Sequence, residues 1–189
     1  LSTDEAAFYD RIYTRGGYKG FYFRDALNVP VYSDLWRAAA AQLSKAVPVV
    51  DLGCGPGQFA TVLRTVSAAP YTGYDFSAVA IAQAAKRQLA DCHFARADLT
   101  SLALPQGSQF VCLEVLEHIE KDRELLQQLP TGASLVFSVP TFQSAGHVRV
   151  FPAPAAAEAR YQDILTMRLV QQLPVSATKQ IFLFKGVRR

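Results

Sequence analysis

Val49-Val50-Asp51-Leu52-Gly53-Cys54-Gly55-Pro56-Gly57-Gln58-Phe59 is the stretch on which the fold turns. Residues 47–52 are mostly apolar and rich in β-branched side chains, the composition of a buried strand. The run breaks at Gly53, Gly55 and Gly57, and beyond it Phe59, Val62, Leu63 and Val66 recur at helical spacing. Strand, glycine turn and helix form the entry to a nucleotide site in an open parallel sheet. Glycine lets the backbone bend tightly and lets a ligand approach with no side chain in the way. In the dinucleotide pattern GxGxxG a pyrophosphate rests on the helix N-terminus. Here the third glycine comes one residue early and Asp51 stands at the strand end. A carboxylate there suits a cationic ligand and repels a pyrophosphate, which disfavours a nicotinamide dehydrogenase.

Downstream, the pattern of strand and helix repeats. Pro70 marks the turn into a second strand over 71–75, ended by Asp75, which falls 18 positions after Gly57. In doubly wound sheets an acidic residue about 20 positions on binds the ribose hydroxyls, and a carboxylate accepts from two at once. Ser77 is expected to cap an alanine-rich helix reaching to about Leu89. Residues 92–96 read as a third strand, with His93 expected to be a satisfied structural histidine. Residues 110–114 read as a fourth strand, with Glu114 at its carboxyl end, where ligands bind in open sheets. A helix over 121–128 ends at Pro130, and 134–140 is a fifth strand. A short helix follows Pro152 and Pro154, and two late strands, 165–170 and 180–185, lie on either side of Pro174. Five βα units followed by a hairpin predict an α/β doubly wound, mostly parallel sheet with helices on both faces.

The strings carry a family resemblance. Asp51-Leu52-Gly53-Cys54-Gly55-Pro56-Gly57 and Gly73-Tyr74-Asp75-Phe76-Ser77 resemble the first two motifs of the class I S-adenosylmethionine-dependent methyltransferases. Glu114-Val115-Leu116-Glu117-His118-Ile119 resembles the ubiquinone-biosynthesis O-methyltransferase type. The resemblance covers about residues 48–150, and Ser108 stands where that type usually carries Asp. It implies a seven-stranded Rossmann-like sheet with the last strand antiparallel, and S-adenosylmethionine as methyl donor, with S-adenosylhomocysteine as product. It implies a donor site of Asp51, Gly53, Cys54, Gly55, Gly57, Asp75, Phe76, Asp98, Leu99 and Glu114, with Asp98 and Leu99 at the adenine. The loop after the fifth strand, with Gly146, His147 and Arg149, looks like the substrate-side loop of bacterial small-molecule relatives. His118 and His147 are the candidate general bases, needed only if the acceptor must lose a proton.

The first 46 residues are expected to form a helical cap or lid over a core spanning 47–189, the whole being one domain. Residues 2–5 look like a capping stretch for a helix over 1–14. Ser33 is expected to cap a helix through Leu35, Trp36 and Leu43. Between them, Tyr18, Phe21, Tyr22 and Phe23 fall within six residues. They read either as closure of one end of the core or as apolar walls of a pocket. With Arg149, Tyr18 and Tyr22 are the candidate substrate-binding residues.

Composition narrows the function classes. The chain has 189 residues, half of them hydrophobic and 19% charged, with a net charge of +3. That is globular, with too small a positive balance to track phosphates, so no nucleic-acid partner is expected. No apolar run approaches the roughly 18–20 residues of a membrane span. Cys54, Cys92 and Cys112 stand far apart, giving neither a disulfide framework nor a zinc motif, so no metal is expected and a cytoplasmic setting is. No signal peptide is visible. The first residue is Leu1 rather than Met, the expectation being an upstream piece of unstated length. The reading is a methyltransferase acting on a small molecule, by O-methylation. Its alternatives are a nucleic-acid or protein methyltransferase and a cofactor-binding scaffold without catalysis.

Overall fold

The computed structural model describes residues 3–189, apart from the side chains of residues 3–5 and of Tyr18. The expected capping stretch at 2–5 and the Tyr18 side chain lie outside what it describes.

Seven strands form one sheet: β1 (Val49–Leu52), β2 (Tyr71–Asp75), β3 (Cys92–Arg96), β4 (Gln109–Leu113), β5 (Ser134–Pro140), β6 (Leu165–Pro174) and β7 (Gln180–Arg188), in the order β3-β2-β1-β4-β5-β7-β6. Pairing is parallel from β3 through β5, while β7 runs antiparallel to both β5 and β6. The expected doubly wound sheet with an antiparallel last strand is what the chain forms. β6 extends beyond the predicted 165–170 and takes in Pro174, which a sheet edge tolerates because no ladder hydrogen bond is lost there.

The helices are α1 (Thr3–Thr14), α2 (Tyr32–Ala40), α3 (Gln58–Arg64), α4 (Ala78–Ala85), α5 (Asp122–Gln127) and α6 (Pro154–Tyr161), with a 3-10 segment at Tyr18–Phe23. Alternation along the central strands divides the core between the two faces. Leu52, Phe110, Cys112, Leu135, Phe137 and Phe184 pack with Leu125 of α5 and Tyr161 of α6. Val49, Val111, Val136, Ile181 and Leu183 pack with Trp36 of α2 and Phe59 and Leu63 of α3. Strand β1 is buried on both faces, as its apolar run requires.

Local expectations fail where short-range signals compete. Ser77 caps α4, accepting from the Ala80 N–H at 3.1 Å, but Ser33 is no cap: α2 starts at Tyr32 and Ser33 is buried inside its first turn. Helix α4 stops four residues before Leu89, and Gln88 beyond it adopts a left-handed φ of 50°. His93 is exposed on edge strand β3, not a satisfied interior residue. Among the described residues no helix is long and apolar enough to cross a membrane.

One buried ion cluster holds the α5–α6 side together. Asp122, fully buried, accepts two bonds from Arg160 at 2.6 Å and one from the Tyr161 hydroxyl at 2.6 Å, with Arg149 Nη2 at 3.5 Å. These donors hold its carboxyl below the usual range in spite of burial. Removing one partner of such a pair strands the others. Asp122→Ala is therefore expected to lower unfolding stability by roughly 3 kcal/mol, read as a shift in urea midpoint; a change under about 0.5 kcal/mol would refute the assignment.

Candidate active site

The strand order reverses between β1 and β4, and ligands bind at such switch points, beyond the carboxyl ends of the strands. Two loops meet there. The first, after β1, is pinned to β2 by the N–H groups of Gly53 and Cys54, which donate to the Tyr74 carbonyl at 2.8 and 2.9 Å. Gly53 has φ of 88°, and a Cβ on it would come within 2.4 Å of Val115 in the second loop. Gly55 has φ of 51°, and its N–H donates to Asp75 Oδ2 at 3.0 Å, while Ser77 N–H donates to Oδ1 at 2.9 Å. Asp75 thus locks the loop to the end of β2. Burial pushes its carboxyl up to about 6, against the pull of those N–H groups.

Asp51 stands one residue inside β1, 2% exposed, and accepts from the Tyr71 hydroxyl at 2.5 Å. Burial raises it to about 7, with the Asp75 charge adding to the effect.

The second loop follows β4. Glu114 has φ of 56°, unusual for a residue with a long side chain, and such strain concentrates at functional sites. Ser138 of β5 holds it in place: the Glu114 N–H donates to Ser138 Oγ at 3.0 Å, and the hydroxyl donates to Glu114 Oε1 at 2.8 Å. Burial raises the Glu114 carboxyl to about 7. Glu117 is fully buried, and neither carboxyl oxygen has a hydrogen-bond partner on any neighbouring residue. Such a group costs on the order of 1–3 kcal/mol or more. Its carboxyl is raised well above the usual range, by burial first and then by Glu114. His118 Nδ1 lies 2.6 Å from the Tyr9 hydroxyl. His147 Nδ1 lies 3.1 Å from the Phe142 carbonyl. Both imidazoles face Glu117: His118 Nε2 is 3.8 Å and His147 Nε2 4.0 Å from Oε1. Burial, and then His147, lowers His118 to about 4, and burial lowers His147 as well.

A cavity of about 1240 Å³ opens between the loops, more than the roughly 300–1,000 Å³ of a single ligand pocket. Helix α1 and the 3-10 segment wall it with Tyr9, Tyr13, Phe21 and Tyr22. Asp10 fastens α1 by accepting from the Ser77 hydroxyl, and Gln83 Nε2 donates to the Tyr13 carbonyl at 3.1 Å.

The residues singled out from sequence divide clearly. Asp51, Gly53, Cys54, Gly55, Asp75, Phe76, Leu99, Glu114, His118, His147 and Tyr22 line the cavity. Gly57 does not: with φ of 76° it begins α3, and a Cβ there would press on Ala84, Arg87 and Phe94 at 3.2 Å. Asp98 accepts from the Thr100 N–H and hydroxyl at 2.9 and 2.8 Å, and it is Leu99 beside it that reaches the cavity wall. Arg149 departs from its expected substrate role. Its guanidinium donates to the carbonyls of Leu116, Ile119 and Glu120 and clamps the second loop from behind. Three bare carbonyls and a planar five-donor fork make that the better match. Tyr9, Tyr13 and Glu117 were missed, the tyrosines because only tertiary packing brings α1 to the site.

An open sheet reversing between β1 and β4, a glycine loop after β1 and an acidic residue closing β2 define the class I methyltransferase fold. Residues 49–131 match the family model described as a methyltransferase domain. A trans-aconitate 2-methyltransferase from Sinorhizobium fredii is 26% identical over 139 residues, 70% of this chain and 53% of that protein. An uncharacterized methyltransferase from Mycolicibacterium gilvum is 32% identical over 104 residues, 53% of this chain and 40% of that protein. The chain thus spans about half or less of the length of these curated relatives. Magnesium protoporphyrin IX methyltransferase from Synechocystis PCC 6803, solved with bound S-adenosylhomocysteine, shares the fold with a TM-score of 0.69 at 17% identity, covering 84% of each chain.

Because Asp51 is protonated more readily folded than unfolded, its contribution to stability is full below about pH 4 and is lost as pH rises through about 7. Asp51→Asn cannot ionise, so it is expected to gain on the wild type by on the order of 2–4 kcal/mol between about pH 5 and 8, in denaturant melts without ligand. Parallel pH profiles for the two proteins would contradict this.

Proposed function

We propose that the chain is an S-adenosylmethionine-dependent methyltransferase acting on the oxygen of a small molecule. The observation that carries the reading is the glycine loop that lines the cavity at Gly53 and Gly55, beside the carboxyls of Asp51 and Asp75, which burial raises and which a cation placed next to them would relieve. A sulfonium and ammonium cation answers that need, and a pyrophosphate would worsen it. When bound, the donor supplies a methyl group already activated by positive sulfur. Asp75 offers acceptor oxygens to the ribose hydroxyls, and Leu99 and Phe76 offer apolar surface to the base. The N-terminal segment, residues 1–46, acts as the cap: its aromatic side chains exclude water and shape the acceptor space.

Transfer from a sulfonium is an in-line displacement, so holding the acceptor about 3 Å from the methyl supplies most of the catalysis, up to roughly 7–11 kcal/mol in ideal models. A separate base matters only for an acceptor that must lose a proton. His118, held near 4, takes a proton poorly at neutral pH, and His147 is depressed in the same direction. Supporting a small acceptor are the aromatic walls of the cavity and the trans-aconitate relative, whose name specifies a small acid as substrate.

Titration calorimetry of the intact chain is expected to show one site for S-adenosylmethionine and for S-adenosylhomocysteine. Asp75→Asn should weaken both about tenfold or more, about 1.4 kcal/mol, with folding checked by circular dichroism. No detectable binding to the wild type would end this reading.

A further inference from the structure

The buried carboxyl of Glu117 is the feature that methyl transfer leaves unexplained. It is fully enclosed, neither oxygen is hydrogen-bonded to a neighbouring residue, and two imidazole nitrogens face it at distances too long for hydrogen bonds. That spacing leaves room for an ion between them. We propose that Glu117, His118 and His147 bind a divalent transition-metal ion in the cavity wall. The Oε1 atom of Glu117 and the Nε2 atoms of the two histidines would be its protein ligands.

The geometry supports this in three ways. First, one ligand atom from each of the three residues lies within 4.8 Å of the others. Ligands each about 2.1 Å from one ion are roughly 3–3.5 Å apart, so the site closes on an ion by shifts of roughly 0.3–1.8 Å between its ligand atoms. Second, each imidazole has its Nδ1 engaged from behind, on the Phe142 carbonyl for His147 and on the Tyr9 hydroxyl for His118. The carbonyl can only accept, so it places the His147 proton on Nδ1 and leaves the Nε2 lone pair facing Glu117. Third, the rings cross at 87° with centroids 4.5 Å apart, so they converge without stacking. Arg149 fixes the carbonyls of Leu116 and Ile119 on either side of Glu117 and His118, which makes the ligand loop rigid.

Two imidazoles and one carboxylate suit zinc, cobalt, iron or manganese better than magnesium or calcium, which favour oxygen throughout. The three protein ligands leave coordination positions open, and all three residues line the cavity. One consequence rests on the methyl-transfer reading above: an acceptor hydroxyl bound at an open position would be acidified by the ion, so that neither weak histidine need act as base. The ion site itself stands independently of that reading.

The test is a titration of the full chain, freed of metal, with Co²⁺. One-to-one saturable binding with ligand-field absorption is expected, weakened at least thirtyfold in both Glu117→Gln and His147→Ala. Glu117→Gln replaces a buried carboxyl with a neutral amide of the same shape, and its folding is checked by thermal melting without metal. Should a variant fail to fold, proton NMR of the Co²⁺-loaded wild type carries the test alone, with a strongly shifted exchangeable imidazole N–H expected from His147. No saturable Co²⁺ binding by the wild type, or binding that both substitutions leave intact, would overturn the proposal. S-adenosylhomocysteine affinity is measured in parallel without metal. Donor binding without Co²⁺ binding defeats the ion site alone, and Co²⁺ binding without donor binding defeats the methyl-transfer reading alone.

Discussion

Everything at the site depends on how closely two loops approach each other at the sheet's reversal point. Gly53 has no side chain, and Val115 occupies the space where one would be. Because the loops touch there, Asp51 and Asp75 from one side and Glu114, Glu117 and His118 from the other share one cavity. A side chain at Gly53 would have to displace Val115 and, with it, a loop that Ser138 and Arg149 hold on two further sides. The φ of 88° compounds the demand, since only glycine adopts it without strain.

The second constraint is electrostatic. Four carboxyls, Asp51, Asp75, Glu114 and Glu117, are buried around this cavity, and each is raised above its ordinary value chiefly by loss of water. No buried lysine or arginine among the described residues lines the cavity beside them. The Tyr71 hydroxyl, the Gly55 and Ser77 N–H groups and the Ser138 hydroxyl offset part of the cost for three of the four. Elsewhere in the same molecule a buried carboxylate is fully answered: Asp122 has Arg160, Tyr161 and Arg149, and its carboxyl is lowered. The contrast separates a carboxylate that holds the fold together from carboxyls left wanting positive charge.

Much of this was legible in the chain itself. The 47–52 run and the glycines after it specify a buried strand and a left-handed turn through short-range physics, so the strand, the loop and α3 could be placed without tertiary information. Asp75 and Glu114 could be placed as well, because the ends of parallel strands all point the same way. Local signals mislead where one residue type serves two purposes. Ser33 and Ser77 look alike as caps, yet burial takes one of them. Arg149 looks like a substrate ligand until the carbonyls behind the second loop are seen to need donors.

By itself, then, the sequence determined the order of strands and helices, the glycine cradle and the carboxyls at the strand ends, because periodicity, backbone freedom and strand polarity act over a few residues. The tertiary structure decided which groups face one another. His147 is 30 residues from Glu117, and Tyr9 is 109 residues from His118, so no spacing rule links them. They meet because β5 lies beside β4 and α1 packs on α4. Contacts of that range are set by packing of the whole chain, and only there does the pairing of two imidazoles with a buried carboxyl come into view.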